Sequence, residues 1–158
     1  MKRLTLLRHA KSERDSSTGR DFDRSLNDRG RADSKRMGQE IRDLGLKFDL
    51  VLASPAKRVV ETIEGLGGLL PQFDEHIYDA STRQLLDIVQ STNDQVGSLM
   101  LVGHNPGFER LAARLTDEEV DDIPTAALVE IELPIDHWRD ADEGGGRLIR
   151  FVKVKELA

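Results

Sequence analysis

The sequence predicts an α/β sandwich, with helices on both faces of a mainly parallel central sheet, one antiparallel edge and no separate cap domain. Three observations predict it. Short apolar runs alternate with helix-like amphipathic segments through most of the chain. The last two apolar runs follow one another with no helix between them, which makes one antiparallel edge. No stretch between elements is long enough to fold as a lid of its own, and 158 residues suit one domain spanning residues 1–158.

Residues 4–7 (Leu-Thr-Leu-Leu) read as a first buried strand. Residues 10–25 are polar, with Ser16, Ser17, Thr18 and Gly19 as breakers, so a long loop follows Arg8 and His9; loops of that length in a compact domain are usually functional or mobile. Asn27 caps a helix reaching about residue 44, where Met37, Ile41 and Leu44 share one face and Gly45 ends it. Residues 49–53 form the second strand. Ser54 and Pro55 then read as N-cap and first position of a helix reaching about residue 70.

Residues 76–78 read as a short strand, and Ser81 caps a helix that turns Leu85, Leu86 and Val89 to the core. Residues 98–102 are a further strong strand, ending in Gly103-His104-Asn105-Pro106-Gly107, and a helix over 106–115 follows. Residues 127–133 and 147–154 are the two final strands, joined by a flexible connection that contains Gly144, Gly145 and Gly146.

Composition narrows the function classes. The net charge of -6 lacks the basic excess of a duplex-binding surface, and one Trp, one Tyr and five Phe make a poor stacking platform for single strands. No nucleic-acid partner is expected. Without cysteine, disulfides, thiolate metal sites and cysteine nucleophiles are all excluded, which suits a reducing compartment. No apolar run has the length of a membrane span, and no secretory signal opens the chain, so a cytoplasmic location away from membranes is expected. The acidic residues 117–122 read as a solvated turn rather than a partner surface.

In folds of this class, ligands bind outside the carboxyl ends of the strands. Of the four histidines, His9 and His104 come directly after strong strand runs. Arg8 precedes His9, and Arg58 lies one turn into the helix that follows the second strand. A parallel sheet brings all four to one edge, where two guanidinium forks and two imidazoles suit a doubly charged oxyanion. Taken singly, each is more often a hydrogen-bonded structural His or a surface Arg; the combination at one edge is what points to a site. His76 and His137 lack that context and read as structural or surface residues. A metal between His9 and His104 would need a third ligand such as Asp79, and Arg8 and Arg58 would repel it, so no metal is expected.

The motifs also carry a resemblance. Residues 6–12, Leu-Leu-Arg-His-Ala-Lys-Ser, resemble the Arg-His-Gly motif of the histidine phosphatase (phosphoglycerate mutase-like) superfamily. Residues 54–62, Ser-Pro-Ala-Lys-Arg-Val-Val-Glu-Thr, resemble its second motif, which brings the second phosphate-binding arginine. Residues 102–107, Val-Gly-His-Asn-Pro-Gly, resemble the third, which brings the second histidine. Order, spacing and chain length are most similar to the SixA-type phosphohistidine phosphatases, over nearly the whole chain. Ala10 stands where the superfamily commonly has Gly, which asks only that the position avoid a strongly positive φ. Larger members carry a glutamate proton donor in an inserted region. Asp79 is the nearest match, and it reads equally well as a turn residue ahead of Ser81.

The resemblance implies a metal-independent phosphatase without cofactor, in which His9 takes the phosphoryl group while Arg8, Arg58 and a protonated His104 hold its oxygens. Ser12, or groups around Asn105, add a donor to the phosphate or other bound anion. An alkoxide leaving from an ester needs a placed acid, whereas the imidazole of phosphohistidine departs with little help. The lack of an evident glutamate and of a cap therefore points to a His-phosphorylated protein, a phosphorelay or phosphotransfer carrier, as substrate. The alternatives are a phosphatase of small phosphate esters or nucleotides, and a phosphate-binding module without catalysis.

Overall fold

A computed structural model describes residues 1–120 and 122–157. Six strands form one sheet: β1 (Lys2–Arg8), β2 (Leu50–Ala53), β3 (Gln72–Phe73), β4 (Ser98–Gly103), β5 (Leu128–Leu133) and β6 (Arg147–Val152), in the order β3-β2-β4-β1-β5-β6. The first four run parallel; β5 lies antiparallel to β1, and β6 antiparallel to β5. Four helices cover the two faces: α1 (Asp28–Asp43), α2 (Lys57–Leu66), α3 (Thr82–Gln90) and α4 (Gly107–Thr116). The described residues form no separate cap over the sheet, and no helix among them is long and apolar enough to cross a membrane.

The two-residue period of the strands sorts the core into two layers. Leu4, Leu6, Leu99 and Leu101 face α3 and α4, where Leu85, Val89, Phe108 and Leu111 are buried against them. Leu7, Val51, Ala53, Met100 and Val102 face the other way, against Met37, Val59, Ile63 and Leu66 of α1 and α2. Each such fully buried aliphatic side chain contributes roughly 1.5–3 kcal/mol.

Asn27 caps α1 through the Gly30 amide at 2.8 Å, and Ser81 caps α3 in a capping box with Gln84, as their sequence positions predict. Three elements differ from expectation. Helix α2 begins at Lys57, with Ala56 at its N-cap, because the Ser54 hydroxyl is engaged elsewhere. It ends at Leu66, since Gly67 and Gly68 follow with φ of 74° and 76°. Residues 76–78 are no strand: Glu75–Ile77 is a 3-10 turn, and the edge strand is Gln72–Phe73 instead. Its short length follows from pairing with only Leu52 and Ala53.

The segment between β5 and β6 is pinned as well. Trp138 is fully buried with its indole N–H on the Val96 carbonyl at 2.7 Å, and the Gly144 and Gly146 amides donate to Arg114 and Leu115 carbonyls. In the acidic turn, Asp117, Glu118 and Glu119 are exposed while Val120 and Ile123 enter the core; Asp121 lies outside the described residues.

Candidate active site

Register places the site. Arg8 pairs with Gly103 and Ala53 with Val102, so β1, β2 and β4 end flush at one edge. The next residue of each strand is His9, Ser54 or His104. Their backbones are tied across the edge, His9 N–H to the Gly103 carbonyl at 3.0 Å and Ser54 N–H to the Val102 carbonyl at 3.0 Å. Helix α2 starts over that edge and carries Arg58 on its first turn.

His9 is buried, 7% exposed, and its Nδ1 lies 2.8 Å from the Ala10 carbonyl oxygen. A carbonyl only accepts, so Nδ1 bears the proton and Nε2 carries the lone pair. Arg58, 5% exposed, points Nε at that lone pair from 3.4 Å. Its Nη2 lies 3.3 Å from His104 Nδ1; guanidinium only donates, so His104 Nε2–H donates to Ser54 Oγ at 2.8 Å. The two rings sit 5.3 Å apart between centroids. Arg8 donates from Nη1 to the Ile123 carbonyl at 2.8 Å, while its buried Nε has no partner among the described residues. Ala10 has no positive φ, so its methyl group is accommodated without backbone strain, and Thr62 Oγ1 accepts its amide at 3.0 Å.

Arg8, His9, Ser12, Arg58, His104 and Asn105 line one cavity of about 590 Å³. Asp79 lines a neighbouring one of about 290 Å³ that shares Arg58, His104 and Asn105. It is an exposed turn residue with φ 54°. The Asn105 side chain offers a phosphate no donor: both amide hydrogens are taken, by Glu109 Oε1 at 2.8 Å and the Ile123 carbonyl at 2.9 Å. His76 and His137 sit away from the cavity on Asp74 and Asp94. Among the described residues, no group of three His, Asp or Glu side chains is placed to hold a metal ion.

Three contributors escaped the sequence reading. Asp21, in the loop after His9, accepts from Arg58 Nη2 at 3.0 Å and from the Tyr78 hydroxyl at 2.7 Å. Burial works against its charge, but Tyr78 and Arg58 outweigh that and hold its carboxyl below the ordinary value. Ser54 orients His104. Glu109, on the first turn of α4, accepts both Asn105 Nδ2 and the Ile123 amide at 2.8 Å, fixing the loop whose carbonyl holds Arg8. Its one sequence signal is its place four residues after Asn105, which precedes the helix.

Glu109→Ala is therefore expected to lower kcat/KM about tenfold through Arg8, because two donors lose their acceptor and the Ile123 loop loosens. Glu109→Gln keeps an oxygen at Oε1 and should restore most of the loss. Steady-state kinetics beside thermal melts decide it. A fall in melting temperature with kcat/KM unchanged would leave Glu109 a purely structural residue.

Both histidines are held neutral at pH 7. Burial, then the charges of Arg58 and Arg8, lowers His9 to about 4. Burial, then His9 and Arg58, lowers His104 to about 3. A free imidazole titrates near 6.5, so between pH 6.5 and 4 the unfolded chain binds protons that the folded one refuses, and stability falls as pH falls. Urea melts at pH 7.5 and 5 should show a loss on the order of 4 kcal/mol, about 2 from each ring, that a His9→Gln/His104→Gln variant largely lacks. An equal loss in both proteins would mean that the rings are not the source.

Comparison with known proteins agrees with this geometry. A chloroplastic protein of Arabidopsis thaliana is 32% identical over 133 residues, 75% of this chain; the match spans 61% of that relative's length. The structure of a candidate phosphohistidine phosphatase SixA from Agrobacterium tumefaciens superposes with a TM-score of 0.82 at 28% identity, covering 96% of this chain and 97% of its own. That of the protein histidine phosphatase SixA complexed with tungstate gives 0.83 at 19% identity, covering 97% of each chain, a likeness of fold. The model of the histidine phosphatase superfamily, branch 1, matches residues 4–84, the half of the sequence that carries Arg8, His9 and Arg58, and the chain belongs to that superfamily.

Proposed function

We propose that the protein is a phosphohistidine phosphatase that removes phosphate from a His-phosphorylated signalling or phosphotransfer carrier through a phospho-His9 intermediate. The observation that carries the reading is the fixed tautomer of His9: Nδ1–H rests on the Ala10 carbonyl, and unprotonated Nε2, with Arg58 Nε donating to it, faces a cavity flanked by Arg8, Arg58 and His104. The reading treats residues 1–158 as one domain at work in the cytoplasm.

His9 Nε2 attacks phosphorus as the P–N bond to the substrate imidazole breaks. The departing ring leaves neutral when its other nitrogen carries a proton. The charge gained by the His9 ring spreads to Nδ1–H, which the Ala10 carbonyl stabilises. Arg8 and Arg58 hold the equatorial oxygens, with the buried Arg8 Nε as a desolvated donor. A phosphate dianion opposes the burial and the neighbouring positive charge that keep His104 neutral, and favours its protonated, donating form. Water then attacks phospho-His9, releasing inorganic phosphate and restoring the neutral imidazole.

The two SixA-type structures compared above support the reading, one of them holding tungstate, an oxyanion of phosphate-like shape. A second reading, hydrolysis of small phosphate esters, has one observation in its favour: Asp79 borders the cavity beside His104, where an acid could protonate an alkoxide. Phosphate release from a phosphohistidine carrier protein and from para-nitrophenyl phosphate, with chelator present, separates the two. The expected result is carrier turnover that Asp79→Asn leaves intact. Faster turnover of the ester, collapsing in Asp79→Asn, would establish the second reading instead.

A further inference from the structure

Beyond the phosphoryl position, the same cavity continues along the loop that follows His9. Lys11, Arg14 and Arg24 line this part, and Glu13 is the one carboxylate on its wall among the described residues. That is a local cationic excess on a chain of net charge -6. Arg24 is engaged, 3.1 Å from Asp21 Oδ1 and donating to the Glu13 carbonyl at 3.2 Å. Lys11 and Arg14 are exposed, and neither forms an ion pair among the described residues. Arginines elsewhere behave differently: Arg29, Arg83 and Arg114 each lie against a carboxylate of their own surface.

The wall is built rather than loose. The Lys11 carbonyl accepts the Asn27 amide at 3.0 Å, and the Glu13 amide donates to Ser25 at 2.8 Å. Ser12 forms a bridge with Leu26, whose amide is held by Glu61 at 2.7 Å. Helix α1 approaches the Lys11 carbonyl so closely at Gly30 that any Cβ there would collide with it. Two free cations are thus carried on a braced backbone that opens into the cavity of the nucleophile. Fixed charges lining a cleft focus their field into it and select what enters.

We infer that this wall is a second anion subsite: the substrate carries, beside its phosphoryl group, another negatively charged group that Lys11 and Arg14 hold. The inference deepens the phosphohistidine reading and rests on it for the substrate class. On a phosphorylated carrier, the second group is an Asp or Glu side chain flanking the phosphohistidine.

The test uses N-phosphorylated histidine peptides flanked by Asp and Glu or by Asn and Gln, with phosphoramidate as a substrate that has no second anion. Exposed ion pairs contribute up to about 1 kcal/mol each, so the wild type should show kcat/KM on the order of tenfold higher for the acidic peptide, less at high salt. Lys11→Gln/Arg14→Gln should erase that preference and leave phosphoramidate turnover unchanged. No preference in the wild type, or a uniform loss on all substrates in the variant, overturns the inference. Should no N-phosphoryl compound turn over, the phosphatase reading falls, and calorimetry in the His9→Ala background decides the subsite. There, the Lys11→Gln/Arg14→Gln pair should weaken tripolyphosphate about tenfold while leaving inorganic phosphate unchanged; equal effects on the two anions overturn it.

Discussion

His9→Ala is expected to abolish turnover, lowering kcat/KM by at least about 10⁴-fold, because the covalent route disappears with the nucleophile. His9 Nε2 presents its lone pair to the cavity with the donating Arg58 Nε 3.4 Å away, where the guanidinium can pass to the phosphoryl charge. His104 is engaged differently, with its ring N–H on a hydroxyl rather than on a carbonyl. Its Nδ1 lone pair accepts from Arg58, and its Nε2–H is committed to Ser54. A rapid-quench experiment with a labelled phosphohistidine carrier should therefore trap an acid-labile phosphoenzyme in the wild type and none in His9→Ala. Equal labelling of the variant would move the nucleophile to His104 and overturn the assignment. The fold should persist, since the substitution removes one neutral hydrogen bond to an adjacent carbonyl and a ring held neutral in a cationic setting.

Arg58 carries the second large effect. Arg58→Lys is expected to cost roughly 10²–10³-fold in kcat/KM, close to the loss for Arg58→Ala. Lysine keeps the charge but not the fork. The guanidinium reaches His9 Nε2, His104 Nδ1 and Asp21 from three different nitrogens, Nε, Nη2 and Nη1, and an ammonium cannot span those directions from one point. The loss should appear mainly in kcat, because charge on the equatorial oxygens is redistributed in the transition state. If Arg58→Lys retained near wild-type kcat, simple charge would suffice and bidentate grip would be no part of the mechanism.

Much of this was legible from residue order, for a physical reason. Apolar runs at residues 4–7, 49–53 and 98–102 can only bury themselves in a sheet covered on both sides. A parallel sheet then brings Arg8, His9 and His104 to one edge, whatever the details of the helices. The start of α2 was misplaced because Ser54 has two possible uses, helix cap or histidine partner, and only the position of His104 decides between them. The short strand at residues 76–78 was misassigned for a related reason. Ile77 is buried, but in a 3-10 turn packed against α3 rather than in the sheet, and an isolated apolar residue carries no period. The contacts of Asp21 with Arg58 and of Glu109 with Ile123 were invisible because they cross 37 and 14 residues of chain. A carboxylate's pairing partner is a property of the folded packing, and no local pattern announces it.

The position of β1 has a consequence for how the protein is made. His9 follows β1, which is made before the other five strands of its sheet, yet β1 lies between β4 and β5, pairing Arg3 with Ser98 and Lys2 with Leu133. Synthesis therefore runs through some 130 residues before the strand beneath His9 has both neighbours, at roughly 5–20 residues per second. Until then the imidazole has neither Gly103 behind it nor Arg58 and His104 fixed around it. Assembly of the site is thus a late, long-range event, governed by loop-closure entropy rather than by local propensity. A nascent or truncated chain that lacks β4 and β5 holds the Arg8-His9 motif as an extended, solvated and chemically ordinary peptide.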